Sequence, residues 1–150
     1  MLLALLLAAP AEAKDLRSKL GIGVHQQFVD VTALSARFTL PGGKPTTLAA
    51  VEAVAGVDLT ASVEPSFYVG GRFLYTVVAE DNLNFYLGAG GGYASTAGAG
   101  AGRIEPVAGV EFFVFGLENL GWSVEWGVRA DLGAVWKVKT APNLAVHYYF

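Results

Sequence analysis

The sequence contains no cysteine, so it can form no disulfide, no thiolate metal site and no lipid-modified N-terminal cysteine. It has a single methionine beside nineteen glycines, a balance that argues against a helical bundle. Charge is scarce. Asp, Glu, Lys and Arg together make up 15% of the chain, against roughly a quarter in a typical soluble domain. The formal charge is −3 and no basic cluster occurs, which removes nucleic acid and strongly acidic molecules from the expected partners. Past residue 13 no apolar run approaches the ~18–20 residues of a membrane-spanning helix. If this chain enters a membrane, it does so as strands.

Against these absences stands an apolar abundance of 53%, with a mean hydropathy of +0.46. At 150 residues the chain is expected to form one domain. Residues 1–13, MLLALLLAAPAEA, combine a short apolar core, a helix-ending Pro10 and an Ala-x-Ala ending at Ala11 and Ala13. That form predicts a secretory signal cut after Ala13, leaving a mature domain of residues 14–150. No Lys or Arg precedes the apolar core, so a mis-set start or a buried N-terminal helix are the competing readings.

The mature chain alternates. From Trp122 to Gly133, the residues Trp122, Val124, Trp126, Val128, Ala130 and Leu132 alternate with Ser123, Glu125, Gly127, Arg129, Asp131 and Gly133. A helix would scatter those charges around its circumference; a strand between two unlike environments keeps them on one side. The same pattern predicts strands over Lys19–Phe28, with Gln26 an exception on the apolar side, and over Ala33–Leu40. It continues over Val51–Val63, Phe67–Ala79, Asn84–Ala94 and Arg103–Phe115, and closes with Asn143–Phe150. Residues 46–56 also fit two turns of threonine-capped helix. In the Phe67–Ala79 segment Val78 falls on the second face with Arg72 and Thr76. Ser95–Gly102, rich in Ala and Gly, reads as a flexible loop, and Val135–Pro142 as the connection into the last strand. The expectation is an all-β, eight-stranded antiparallel up-and-down barrel whose strands approach the ~9–11 residues of a tilted membrane strand.

Alternation alone does not say which face points out. Three features favour a membrane barrel over a soluble one. The apolar face carries Phe and Trp, while the polar face is studded with Gly, Ala and Ser, which suits the narrow interior of eight strands. The connections are short and poor in lysine. Phe28, Tyr93, Trp122 and Phe150 fall near strand ends, where aromatic girdles belong.

The ending Leu144-x-Val146-x-Tyr148-x-Phe150 resembles the terminal assembly signal of bacterial outer-membrane β-barrel proteins. With the signal-like leader and eight strand candidates, residues 14–150 resemble the small eight-stranded class of OmpA-type and OmpX-type barrels. The resemblance implies residence in the bacterial outer membrane, contact with outer-membrane lipid, and recognition by the barrel-assembly machinery during biogenesis. This chain departs from the class in its short connections, which puts a receptor or adhesion role in doubt.

The polar face supplies the candidate site: Arg37, Glu52, Asp58, Arg72, Arg103, Glu105, Glu111, Glu125, Arg129 and Asp131. Charges inside a barrel must be paired or hydrated. They are read either as a salt-bridge plug that fills the lumen or as a gated pore or proton pathway; the narrow interior of eight strands favours the plug. His25 and His147 sit on neighbouring first and last strands and both point inward. Two histidines are too few for a metal site. A histidine-serine-acid hydrolase would need a partner for His147, and the nearest serines, Ser18 and Ser123, offer none. Gly88-Ala89-Gly90-Gly91-Gly92 has no phosphate-loop context and is read as relief of crowding in a narrow barrel. No cofactor, metal or catalytic residue is expected. The expected role is envelope-structural or minor permeation. The alternatives are a lipid-modifying barrel enzyme and a soluble, periplasmic, lipocalin-like barrel that binds a ligand.

Overall fold

A computed structural model describes residues 14–27, 31–44, 46–58, 65–96, 98–114 and 116–150. The signal-like leader, Phe28, Asp30 and the Leu59–Glu64 stretch of the expected third strand and turn lie outside the described residues. Eight strands follow one another: β1 Leu20–Gln27, β2 Thr32–Thr39, β3 Ala49–Asp58, β4 Ser66–Glu80, β5 Leu83–Thr96, β6 Ala99–Phe113, β7 Leu120–Leu132 and β8 Trp136–Tyr149. Each pairs antiparallel with the next, and β8 pairs with β1, so the sheet closes into a barrel. Among the described residues there is no helix. The helical alternative for residues 46–56 gives way to β3, which places Glu52 inward between two arginines.

The alternation sorts as expected. On β7, Trp122, Val124, Trp126 and Val128 are exposed, with Trp126 at 61%, while Ser123, Glu125 and Arg129 are buried to 1% or less. The same division runs round the barrel: most large aliphatic and aromatic side chains outside, charged and hydrogen-bonding ones inside together with small apolar clusters about Val54, Leu74 and Phe113. The exception, Gln26, faces out and accepts a hydrogen bond from the Thr32 hydroxyl.

Three expectations need correction. Ser95–Gly102 is not a loop: Ser95 pairs with Gly100 and Thr96 with Ala99, and the reversal uses Gly98 at φ +75°. Small residues are needed there for packing, since a Cβ on Gly100 would collide with the Tyr93 hydroxyl that lies across it. Val135–Pro142 is not a connection either. β8 begins at Trp136 and pairs with β7 from Trp136 to Tyr148, passing through Pro142, one residue beyond its last described pair with β1. Finally, a bulge between Thr76 and Val78 inserts one residue, so Val77 and Val78 both face out and Ala79 turns in.

At the end that carries the termini, residues 14–19 fold across the mouth. Ser18, at φ 60°, donates its amide to Thr39 O at 3.0 Å, and Lys19 N reaches back to Leu16 O at 3.0 Å. This turn drives Leu16 into the opening, where it packs with Leu48, Phe113 and Tyr149. Lys14 stands over the Phe113 ring at 4.6 Å and donates to the Glu118 carbonyl.

Candidate functional site: the charged lumen

The strand registers build the site. Arg37 on β2 lies opposite Glu52 on β3, and Glu52 lies opposite Arg72 on β4, so a guanidinium–carboxylate–guanidinium row crosses three adjacent strands. Glu52 Oε2 accepts from Arg37 Nη2 at 3.0 Å and from Arg72 Nη2 at 2.8 Å. From the far wall, Glu125 takes Arg72 Nη1 at 2.6 Å and Glu111 takes Arg37 Nη1 at 3.0 Å. Two tyrosines complete the carboxylates: Tyr86 donates to Glu125 at 2.6 Å and Tyr149 to Glu111 at 2.7 Å. His25 Nε2 lies 3.1 Å from Glu125, and Ser123 donates to Glu111 at 3.4 Å.

These charges tolerate burial because each is multiply bonded. An unpaired charge in such a place would cost several kcal/mol or more, and an arginine fork satisfies two carboxylate oxygens at once. Room for such large groups comes from glycines facing them on the next strand. Arg72 lies opposite Gly90, Tyr86 opposite Gly109 and Tyr149 opposite Gly21. A Cβ at Gly109 would sit 2.6 Å from the Tyr86 ring, and one at Gly21 2.8 Å from the Tyr149 ring. The glycines of this chain therefore chiefly set aside interior volume.

Nearer the end opposite the termini a second, smaller group forms. Arg103 and Asp131 face each other across β6 and β7 and join at 2.7 Å, with the Tyr68 ring 5.0 Å from the guanidinium. Glu105 lies 3.5 Å from Arg129 and accepts from Asn143 Nδ2 at 3.1 Å. Of the ten expected lumen residues, then, five converge on one network (Arg37, Glu52, Arg72, Glu111 and Glu125) and four on the other (Arg103, Glu105, Arg129 and Asp131). Asp58 is half-buried at the end of β3. Tyr86, Tyr149, Ser35 and Asn143 were missed as members. The parity of each strand already turned them inward, and their glycine neighbours marked where bulk would be accommodated.

The serine expectation also needs correction. Neither Ser18 nor Ser123 serves His147; Ser35 does, with its Oγ 2.7 Å from His147 Nε2. Glu52 approaches the same nitrogen at 3.5 Å, and among the described residues His147 Nδ1 has no partner. A hydrolytic triad needs the acid on one ring nitrogen and the serine on the other. Here both crowd Nε2, and serine and histidine are both buried. Among the described residues no three His, Asp or Glu side chains gather to hold a metal ion.

Beside the charged network little free space is left. Beneath Leu16 remains a cavity of about 20 Å³ touching Arg37, Thr76, Asn84, Tyr86 and Glu111, room for about one water. Asn84 Oδ1, buried and without a partner among the described residues, is the acceptor such a water would satisfy. Compared with models of protein families, with curated proteins and with solved structures, the chain matches none.

Proposed function

We propose that this chain is an integral barrel of the bacterial outer membrane with a plugged polar lumen, serving the structure of the envelope or at most minor permeation, and not an enzyme. The observation that carries the reading is the inverted polarity of the wall. Outward-facing Leu, Val, Phe and Trp are exposed round the circumference while arginine and glutamate are buried within. In water such a surface is an aggregation liability. In a bilayer it is the lipid-facing band, and the closed ladder satisfies the backbone groups that hydrocarbon cannot. A soluble ligand-binding barrel needs the reverse, an apolar interior with space in it.

The choice of the outer membrane rests on the leader and on Leu144-x-Val146-x-Tyr148-x-Phe150, which favour export and barrel assembly. Outer-membrane lipid and the assembly machinery are the partners this reading requires. The buried Ser35–His147 pair gives a lipid-modifying activity no support. Gel mobility of a detergent-solubilised sample, boiled and unboiled, tests the reading. A heat-dependent shift is expected, and extraction by buffer alone would overturn it. In a planar bilayer the plug predicts little or no conductance, whereas steady large-bore conductance would refute the filled lumen.

A further inference from the structure

β8 outruns its neighbour. Its pairing with β1 ends at Gln27↔Asn143, yet β8 continues to Trp136, paired with β7 alone. Each residue past Gln27 could match one earlier residue of β8, so a chain running straight on to residue 30, before Val31, would reach only position 140. Trp136, Lys137, Val138 and Lys139 lie beyond that limit. Among the described residues no strand pairs with them on the side away from β7. Among the described residues, then, half of their amides and carbonyls point to an open edge, the feature that natural sheets block or cover.

The side chains of this edge are sorted. Trp136 and Val138 point to the barrel exterior and are 75% and 69% exposed. Lys137 and Lys139 point to the mouth side, and among the described residues neither has an ion-pair partner; Asp131, across from Lys137, is taken by Arg103. A second copy of the chain is a poor fit. Antiparallel pairing about a two-fold axis that keeps both faces aligned sets Lys137 opposite Lys139, and like charges directly opposite destabilise a sheet.

We propose that Trp136–Lys139 is a strand-addition site for an extended segment of another protein in which acidic and apolar residues alternate. The partner backbone would complete the open ladder, its acids would face Lys137 and Lys139, and its apolar side chains would cover Trp136 and Val138. The proposal goes beyond the envelope role and does not depend on where the barrel resides.

Two capped octapeptides test it, one alternating valine and glutamate and the other valine and lysine. The readout is amide hydrogen exchange at residues 136–139 of the full detergent-solubilised chain. The glutamate peptide is expected to slow exchange there at least tenfold. Lys137→Glu with Lys139→Glu should abolish that protection and transfer it to the lysine peptide, while an unchanged far-ultraviolet circular dichroism spectrum confirms that the variant is folded. Absence of protection by either peptide in the unaltered chain overturns the proposal. So does undiminished glutamate-peptide protection in the double variant, or protection that rises with protein concentration alone, which would mean self-pairing.

Discussion

Ser35 and His147 touch at 2.7 Å although a whole strand runs between them. The strand is β1, and the residue in the gap is Gly23, opposite Ser35 on one side and His147 on the other. Without a side chain there, β2 and β8 meet inside the barrel across β1. Gly23→Ala would drive a Cβ into the Val146 carbonyl and to 2.9 Å from the His147 Cα, both backbone atoms with little freedom to move. A loss of about 1–3 kcal/mol is expected, the range for overpacking. Gly71→Ala is the control: its Cβ would point outward and meet only Glu52 O at 3.6 Å, so stability should hold or rise by up to ~1 kcal/mol. Urea unfolding in micelles, followed by tryptophan fluorescence, compares the two, and equal midpoints would refute the account.

Glu52 is the carboxylate between two guanidiniums, with both buried arginines hydrogen-bonded to its Oε2. Glu52→Gln leaves Arg37 and Arg72 facing each other across a neutral amide. The expected loss is roughly 3–5 kcal/mol, the scale for breaking a buried pair from one side. Glu52→Leu combined with Arg37→Met should cost less than the sum of the two single changes, because no uncompensated partner is left between them. Additive losses in the same unfolding assay would show that the pair is not coupled.

The barrel's interior parity was legible in the residues, because a period of two survives any ignorance of which strands pair. Trp122–Gly133 and the aromatic ending follow directly from that period. Which inward residues touch was not legible, since register is set by closure of the whole sheet. Ser35 lies 112 positions from His147 and meets it only through Gly23. The Ala/Gly run from Ser95 to Gly102 was misread for a related reason: its lack of side chains looked like freedom, whereas Tyr93 lies across Gly100 and the run pairs with itself. The early start of β8 was hidden by Pro142, which sits inside the strand, opposite Trp126 of β7.

Outside the barrel wall, Asp15 and Arg17 form a two-pronged clasp at 2.6 and 2.8 Å. The side-chain hydrogen bonds from Arg17, aided by its backbone amide, hold the Asp15 carboxyl down from 3.8 to about 2. A lowered folded value means the clasp contributes above pH 3.8 and is lost as pH falls through about 2. Both groups are solvent-accessible, so the effect is local. The Asp15 carboxyl carbon, followed by NMR, is expected to titrate near pH 2 and to return to the ordinary range in Arg17→Ala. An unchanged midpoint in that variant would refute the clasp.

Phe150 donates its amide to Leu20 O at 3.0 Å and sets its ring edge-on to Tyr148 at 5.0 Å, with the ring exposed. Deleting it removes one rung of the closing ladder and the last residue of the expected assembly signal. The prediction is a marked fall in folded, heat-modifiable barrel recovered from outer membranes, exceeding any change in the stability of the barrel that does fold. Wild-type recovery would count against the assembly reading.

The unequal strands give the cylinder a mechanical grain. Among the described residues β1 and β2 are each held by seven register pairs on either side, whereas β5 and β6 share fourteen. Closure therefore depends on the two shortest strands, and the β8–β1–β2–β3 side is a zip with few teeth beside a densely stitched remainder. Pulled from its ends, the molecule should part on that side first, leaving the long β4–β7 panel as the last piece to come undone.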